Sequence, residues 1–193
     1  MKFLCYCVII SYSEVFGAVF VGGSVMYQAG DWVVYGIHGV CRVIGTEKQL
    51  VNRKRTQYLV LEPLSHTESR FYLPLENPTA LAKLKPVLTK DEMFALLASD
   101  EVRQDIWVPE DNMRKHYFRE LLGSGDRVSV MRMITTLYRY RDTQLAAGRK
   151  FHQSDDNFLR DAEKLLISEI SLVMEKSIEE AKTYLREQLK TTS

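Results

Sequence analysis

The sequence is poor in the residues that build disulfide frameworks and metal centres. Its three cysteines, Cys5, Cys7 and Cys41, are odd in number and irregularly spaced, and its four histidines are scattered along the chain. A structural metal site needs several ligands at compatible spacing, so we expect no metal here. Cysteines without a pairing pattern fit a reducing cytoplasm better than an extracellular location.

Long apolar runs are also lacking. The first 25 residues are mostly apolar, but polar residues 11–14 interrupt them before they reach the roughly 20 residues that a membrane-spanning helix needs. A signal peptide is one interpretation of this segment. A second candidate start, Met26, directly precedes a clear strand pattern, and we therefore expect residues 1–25 to be a disordered extension or a mis-called start.

Recognisable catalytic motifs are missing as well. The sequence has no glycine-rich phosphate loop and no Gly-x-Ser-x-Gly nucleophile turn. Residues 123–126 look superficially like a nucleophile turn, but a helix stop followed by a cap explains them better. Asp155 and Asp156 are better explained as acidic residues at a helix start than as a catalytic pair. These absences favour a binding protein without a cofactor over an enzyme such as a small hydrolase.

Residues 26–87 carry the signals of a small β domain. Short runs rich in β-branched and aromatic residues are separated by Gly and Pro, and residues 51–56 look like a polar hairpin loop. Four or five strands in such a short segment predict a small, strongly bent barrel. The predicted strands cover residues 31–35, 40–45, 57–62, 69–73 and 84–87.

From Thr89 the apolar periodicity becomes helical, and residues 88–193 are predicted to form an all-α domain of about five helices. Thr89 and Glu92 make a capping box at the first helix start. A break is expected at Pro109, since the residue before a proline avoids helical dihedrals. Strands followed by helices indicate separate modules, so the fold class is α+β by segregation. The predicted helices begin near residues 89, 110, 126, 154 and 177.

The near-neutral net charge of +1 hides an uneven distribution. Residues 114–150 hold nine basic and three acidic side chains, and the flanking segments are acidic. Most of the nine are arginine, whose planar guanidinium suits phosphate groups. One interpretation is an ordinary solvated helix face with internal ion pairs, and the other is a patch that neutralises nucleic-acid phosphates.

Four stretches together resemble the CarD/CdnL family of bacterial transcription regulators. The first, residues 30–40, reads Gly-Asp-Trp-Val-Val-Tyr-Gly-Ile-His-Gly-Val, and the second is residues 57–61. The third is Phe-Tyr-Leu-Pro at 71–74, and the fourth combines Ser-Gly-Asp at 124–126 with the apolar pattern of residues 159–169. The opening motif, at its distance from the later ones, carries most of the specificity.

The resemblance implies a Tudor-like barrel that docks on the RNA polymerase β subunit, a module shared with the transcription-repair coupling factor. It also implies a helical domain that contacts promoter DNA nonspecifically and stabilises the open complex, in a monomeric, cytoplasmic, nucleoid-associated protein. The polymerase contacts are predicted at Gln49, Arg53, Lys54, Arg70 and Tyr72. The DNA contacts are predicted at Trp107, Met113, Arg114, Lys115, Arg119, Arg139, Arg141, Arg149 and Lys150.

One departure from the family concerns a wedge residue. Family members often place a tryptophan at the start of the second helix, but that position falls here near Asp111 or Asn112. Trp107 and Met113 are the candidate replacements, and Trp107 fits a core role equally well. The missing wedge keeps an alternative open, namely a protein-only interaction module with little or no DNA contact.

Overall fold

A strand-rich segment is followed by a helix-rich segment, which confirms the predicted fold class of a β domain plus an all-α domain. The computed structural model describes residues 19–21, 25–51, 53–64 and 69–190. None of the helices in these ranges is long and apolar enough to cross a membrane.

The β domain is built on one antiparallel sheet of five strands in the order β6-β5-β4-β3-β7. A separate two-stranded ladder joins β1 to β2. Within the described ranges no ladder joins β6 to β7, so these two strands are the edges of the five-stranded sheet. The strands are β1 Val19–Val21, β2 Val25–Tyr27, β3 Trp32–Tyr35, β4 Val40–Val51, β5 Lys54–Pro63, β6 Phe71–Pro74 and β7 Leu84–Pro86.

One face of the sheet forms the small core of the β domain. Alternate residues along a strand point to opposite faces, so Cys41 and Val43 of β4 lie on the same side as Leu59 and Leu61 of β5. All four are fully buried. Burial also raises the pKa of the Cys41 thiol to about 12, which keeps it protonated and unreactive at neutral pH.

The hairpin between β4 and β5 differs from the prediction. Residues 51–56 were expected to form a polar loop, but β4 continues to Val51 and β5 begins at Lys54. Arg53, in the turn, has a positive φ of 65°. The sequence pattern does not reveal the outer ends of these strands, because they lie in water on both faces. Their residues therefore lack the alternation of apolar and polar types that marks a half-buried strand.

The N-terminal segment differs in part. Val19–Val21 pairs with Val25–Tyr27 in an antiparallel ladder, so disorder is the wrong expectation for residues 19–21. Residues 1–18 and 22–24, the rest of the predicted extension before Val25, lie outside the described residues.

Five of the six helices form the second domain, as predicted, and a short one lies within the β domain. The helices are α1 Pro78–Leu81, α2 Lys90–Ala98, α3 Asp111–Ser124, α4 Arg127–Ala146, α5 Gln153–Val173 and α6 Ile178–Lys190. Two 3-10 turns, Gly36–His38 and Asp100–Arg103, were not predicted.

The predicted helix boundaries between α3 and α4 are confirmed by their caps. Gly125 ends α3 in the left-handed conformation with φ 59°, and Asp126 begins α4 by accepting a hydrogen bond from the Ser129 amide. The predicted N-cap of α5, Ser154 or Asp155, is wrong by two or three residues, because His152 occupies the N-cap position and makes no side-chain cap bond. Asp155 instead turns into the domain.

The helical domain has its own core, centred on α4 and α5. Met131, Ile134 and Leu137 of α4 are fully buried among residues of α2, α3, α5 and α6. Within this core the Tyr138 hydroxyl donates to the Glu163 carboxylate, and Arg186 of α6 donates to the same carboxylate. This network joins α4, α5 and α6 through polar groups that would be costly to bury unpaired.

The capping box at α2 provides a test of the local prediction. The Thr89 hydroxyl accepts from the Glu92 amide, and the Glu92 carboxylate accepts from the Thr89 amide, which lowers the pKa of Glu92. We expect Thr89→Ala to lower the free energy of unfolding by about 1 kcal/mol. Urea denaturation of both proteins measures the difference. Thr143→Ala, at an exposed position in α4, is the matched control and should leave stability unchanged or slightly higher; equal losses in the two variants would contradict the assignment.

Candidate functional site

The β4–β5 hairpin projects beyond the rest of its sheet. Strand β3 pairs with β4 only at residues 40–42, and β6 pairs with β5 only at residues 58–61. Residues 46–51 and 53–57 therefore form a two-stranded arm, called here the hairpin arm, with both outer edges free of a neighbouring strand in the described structure. A free strand edge presents backbone N–H and C=O groups to which an extended partner segment can add.

Three of the five predicted polymerase contacts lie on one face of the sheet. The register pairs Gln49 with Thr56 and Val60 with Tyr72, so strand alternation places Gln49, Lys54 and Tyr72 on the same side. This is the face opposite the core of the β domain.

The remaining two predicted contacts lie beside this face. Arg53 occupies the exposed turn of the arm, and Arg70 is exposed immediately before β6. Lys54 forms an exposed ion pair with Glu76 at 2.6 Å, which leaves its ammonium accessible to a partner. Gln49, Arg53 and Lys54 thus lie at the tip of the arm, whereas Tyr72 and Arg70 lie toward the other end of β5.

Sequence reasoning missed two features of this surface. Tyr58 contacts Tyr72 edge to face, with ring centroids 6.3 Å apart, and makes an aromatic pair beside the arm. Leu50 and Val51 are exposed apolar residues at the tip, next to the basic residues Arg53 and Arg55. Exposed aromatic and apolar side chains within a polar rim are typical of protein-binding surfaces. Leu50 and Val51 are visible in the sequence as two consecutive apolar residues, but the loop predicted at residues 51–56 hid their place at the end of a strand.

Residues 27–87 match the family model described as the CarD-like/TRCF RID domain. The β domain is similar to the domains that this model describes. The matched residues include the free edges and the whole hairpin arm. The family suggests an RNA polymerase-associated role, which agrees with a surface suited to protein binding. Residues 88–190, which form the helical domain, lie outside the match.

Arg114, one of the predicted DNA contacts, is buried and bonded within the helical domain. Its side chain is 5% exposed, and its guanidinium donates to both carboxylate oxygens of Asp155, which is fully buried. It also donates to the carbonyl oxygens of Val108 and Pro109 and to Asp111. All of its donor capacity serves the interior, so Arg114 ties the loop before α3 to the start of α5.

Trp107 is held in the same cluster. Its ring stacks on the ring of Tyr140, with centroids 3.6 Å apart. The Arg114 guanidinium also lies over the Trp107 ring, 4.3 Å from its centroid. These contacts favour the core interpretation of Trp107 over a wedge role. Met113, the other candidate, is 65% exposed at the start of α3 and remains available to a partner.

Most of the other basic residues of 114–150 are also engaged within the domain. Arg132 donates to Glu101, and Arg139 donates to the carbonyl oxygen of Arg103, so both hold the second 3-10 turn against α4. Lys115 pairs with Asp111. Arg141 lies over the ring of Tyr138, and its side chain is mostly covered.

Three predicted DNA contacts, Arg119, Arg149 and Lys150, have exposed side chains that form no ion pair with the described residues. Arg149 and Lys150 lie together in the turn between α4 and α5, called here the basic turn, which follows Gly148. Arg119 lies on α3, beside a cavity of about 480 Å³ that Asp161 of α5 also lines. The free positive charge is thus concentrated in the basic turn.

The different roles of neighbouring Arg114 and Lys115 give a direct test. Arg114→Met leaves the buried Asp155 carboxylate without its partner, and we expect the free energy of unfolding to fall by about 3–5 kcal/mol. Lys115→Met removes an exposed pair and should change stability little. Urea denaturation followed by far-UV circular dichroism measures both. If Arg114→Met were as stable as Lys115→Met, the structural role of Arg114 would be refuted.

Proposed function

We propose that the protein is a transcription regulator that docks on the RNA polymerase β subunit and contacts promoter DNA upstream of the bubble, thereby stabilising the open complex. The observation that carries the proposal is the match of residues 27–87 to an RNA polymerase-interacting family, over a sheet with free strand edges. The helical domain supports the DNA half of the proposal through the exposed basic turn.

Docking by the β domain depends on the free strand edges of the hairpin arm. An extended segment of the β subunit adds to a free edge and satisfies the backbone groups there. Tyr72 and Tyr58 then provide apolar area beside the added strand, and Arg53, Lys54 and Arg70 provide positive charge around it. Tyrosine and arginine are the residue types that most often dominate binding energy in protein interfaces.

DNA contact by the helical domain rests on fewer residues than the composition indicates. Arg149 and Lys150 neutralise phosphates, and the exposed Met113 is the remaining candidate for an apolar contact at the edge of the bubble. Contacts that exist only when the DNA is melted and bent shift the equilibrium toward the open complex. The expected affinity for free DNA is low and sensitive to salt.

A second candidate function is a protein-only module on RNA polymerase. The observation that favours it is the internal use of Arg114, Arg132 and Arg139, which removes much of the charge available to phosphates. The two candidates share polymerase docking and differ only in DNA contact, so separate variants test them.

Polymerase docking is tested at Tyr72, which is 40% exposed. We expect Tyr72→Ala to weaken binding to bacterial RNA polymerase about tenfold, because an interface tyrosine typically contributes more than about 1 kcal/mol. Biolayer interferometry with immobilised polymerase measures the dissociation constant. Phe94→Ala is the matched control, since Phe94 is a similarly exposed aromatic residue in the helical domain and should leave the constant unchanged. Equal affinity of the Tyr72 variant and the unaltered protein would count against this docking surface.

DNA contact is tested by reversing the charge of the basic turn. If Arg149 and Lys150 each neutralise one phosphate, the slope of log affinity against log salt falls by about 1.8 in Arg149→Glu/Lys150→Glu, and the open-complex lifetime shortens. Fluorescence anisotropy with labelled promoter DNA gives the slope. Lys90→Glu/Lys182→Glu changes the net charge equally on α2 and α6 and should preserve it. An unchanged slope in the basic-turn variant would favour the protein-only module.

A further inference from the structure

The two domains meet at a polar junction built from α4, α5 and the segment that follows β7. Arg127, in the first turn of α4, donates from Nε and Nη2 to the two carboxylate oxygens of Glu169 in α5, at 2.8 and 2.7 Å. The same Nη2 donates to the carbonyl oxygen of Pro86 at 2.6 Å. The Leu88 amide donates to Glu169 Oε1 at 3.0 Å. Arg127 and Glu169 thus bind the backbone on both sides of Val87, where the two domains connect.

Because these side chains are largely buried, their hydrogen bonds tolerate little change in distance or angle. The side chain of Glu169 is 2% exposed and that of Arg127 is 14% exposed, so water cannot readily replace a lost partner. The guanidinium and carboxylate are paired through two parallel bonds, which fix orientation as well as distance. A rotation of the β domain about Val87 would break the bond from Arg127 to the Pro86 carbonyl oxygen, which is the bond of this cluster that crosses between the domains.

A second set of contacts supports the same orientation. Lys85 of β7 donates to the carbonyl oxygen of Gly125 at 3.0 Å. A Cβ atom at Gly125 would lie 3.4 Å from the Cα of Gly36, and one at Gly39 would lie 3.0 Å from the Ser168 hydroxyl. The glycines therefore allow the backbone of the β domain to approach α3 and α5 closely. Domains joined by a short segment usually move relative to each other unless their interface is extensive. Here the specific hydrogen bonds of Arg127 and Lys85 hold the two domains together instead.

We propose that Arg127 and Glu169 are positioning residues that hold the polymerase-docking arm and the basic turn in one fixed orientation. This inference rests on the proposed function for its consequence, although the fixed orientation itself does not. A rigid connection that matches the spacing of two binding sites makes the second contact effectively intramolecular, whereas a loose one spreads the second site over many positions. The pair thus adds to the stability of the open complex without touching polymerase or DNA.

The test uses the full chain with Arg127→Met/Glu169→Leu, which replaces a buried ion pair by apolar residues and so avoids an unpaired charge. Arg132→Met/Glu101→Leu is the matched control, because this pair lies entirely within the helical domain. Residual dipolar couplings measured by NMR report whether the two domains share one alignment tensor. We expect one tensor for the unaltered protein and the control, and two different tensors for the junction variant.

Function is measured in parallel through three quantities: affinity for RNA polymerase, affinity for free promoter DNA and the lifetime of the open complex after competitor challenge. We expect both affinities of the junction variant to stay within about twofold of those of the unaltered protein. Its extension of the open-complex lifetime should be at least about fivefold smaller. A merely structural role would lower the affinities together with the lifetime. Unchanged lifetime extension in a variant with two tensors would overturn the positioning role, and a single tensor would overturn the junction itself.

Two further outcomes are separable. If the unaltered protein does not extend the open-complex lifetime, the proposed function fails, while the dipolar couplings still decide whether the junction fixes the orientation. If the junction variant does not fold, Glu169→Gln takes its place, since its amide oxygen still accepts from the Leu88 amide. An intermediate loss of lifetime is then expected, and its absence contradicts the proposal.

Discussion

The carboxylate of Glu169 lies at the point where the two domains meet, and the arrangement of the molecule depends on how its charge is satisfied. A buried carboxylate is tolerated only when cations and N–H groups surround it. Here these groups are the guanidinium of Arg127 and the amide of Leu88, and the same guanidinium also donates to the Pro86 carbonyl oxygen at the end of β7. Pro86 belongs to the β domain and the other groups to the helical domain, so the guanidinium that satisfies the carboxylate also links the sheet to the helices.

The same use of charge explains why the composition overstates the DNA-binding surface. The segment 114–150 is basic, yet four of its seven arginines bind Asp155, Glu169, Glu101 and a backbone carbonyl. An arginine that is buried and paired in two directions holds loops and helix ends together, and it offers nothing to a phosphate. Exposed positive charge is left mainly in the basic turn, so any DNA contact made there is small and local.

Much of the architecture could be predicted because its signals are local. The capping box at Thr89, the left-handed Gly125 and the apolar periodicity of α4 each depend on residues within a few positions of one another. The length of the hairpin arm could not be predicted, since strands in water on both faces carry no alternation. The role of Arg114 could not be predicted either, because its partner Asp155 lies 41 residues away and looks like an ordinary acid at a helix start. Pairings across the chain are set by packing, which a single sequence does not show.

These two uses of polar groups assign different work to the two domains. In the proposed function, the β domain binds through free strand edges, whose backbone bonds depend little on the partner's side chains, and a few exposed groups such as Tyr72 provide specificity. The helical domain presents a compact charged turn that is weak on its own. In the proposed function, two weak sites act together best when their separation matches the spacing of their partners. The polar junction between them therefore matters as much to the proposed activity as either surface, because it determines where the second site lies once the first is occupied.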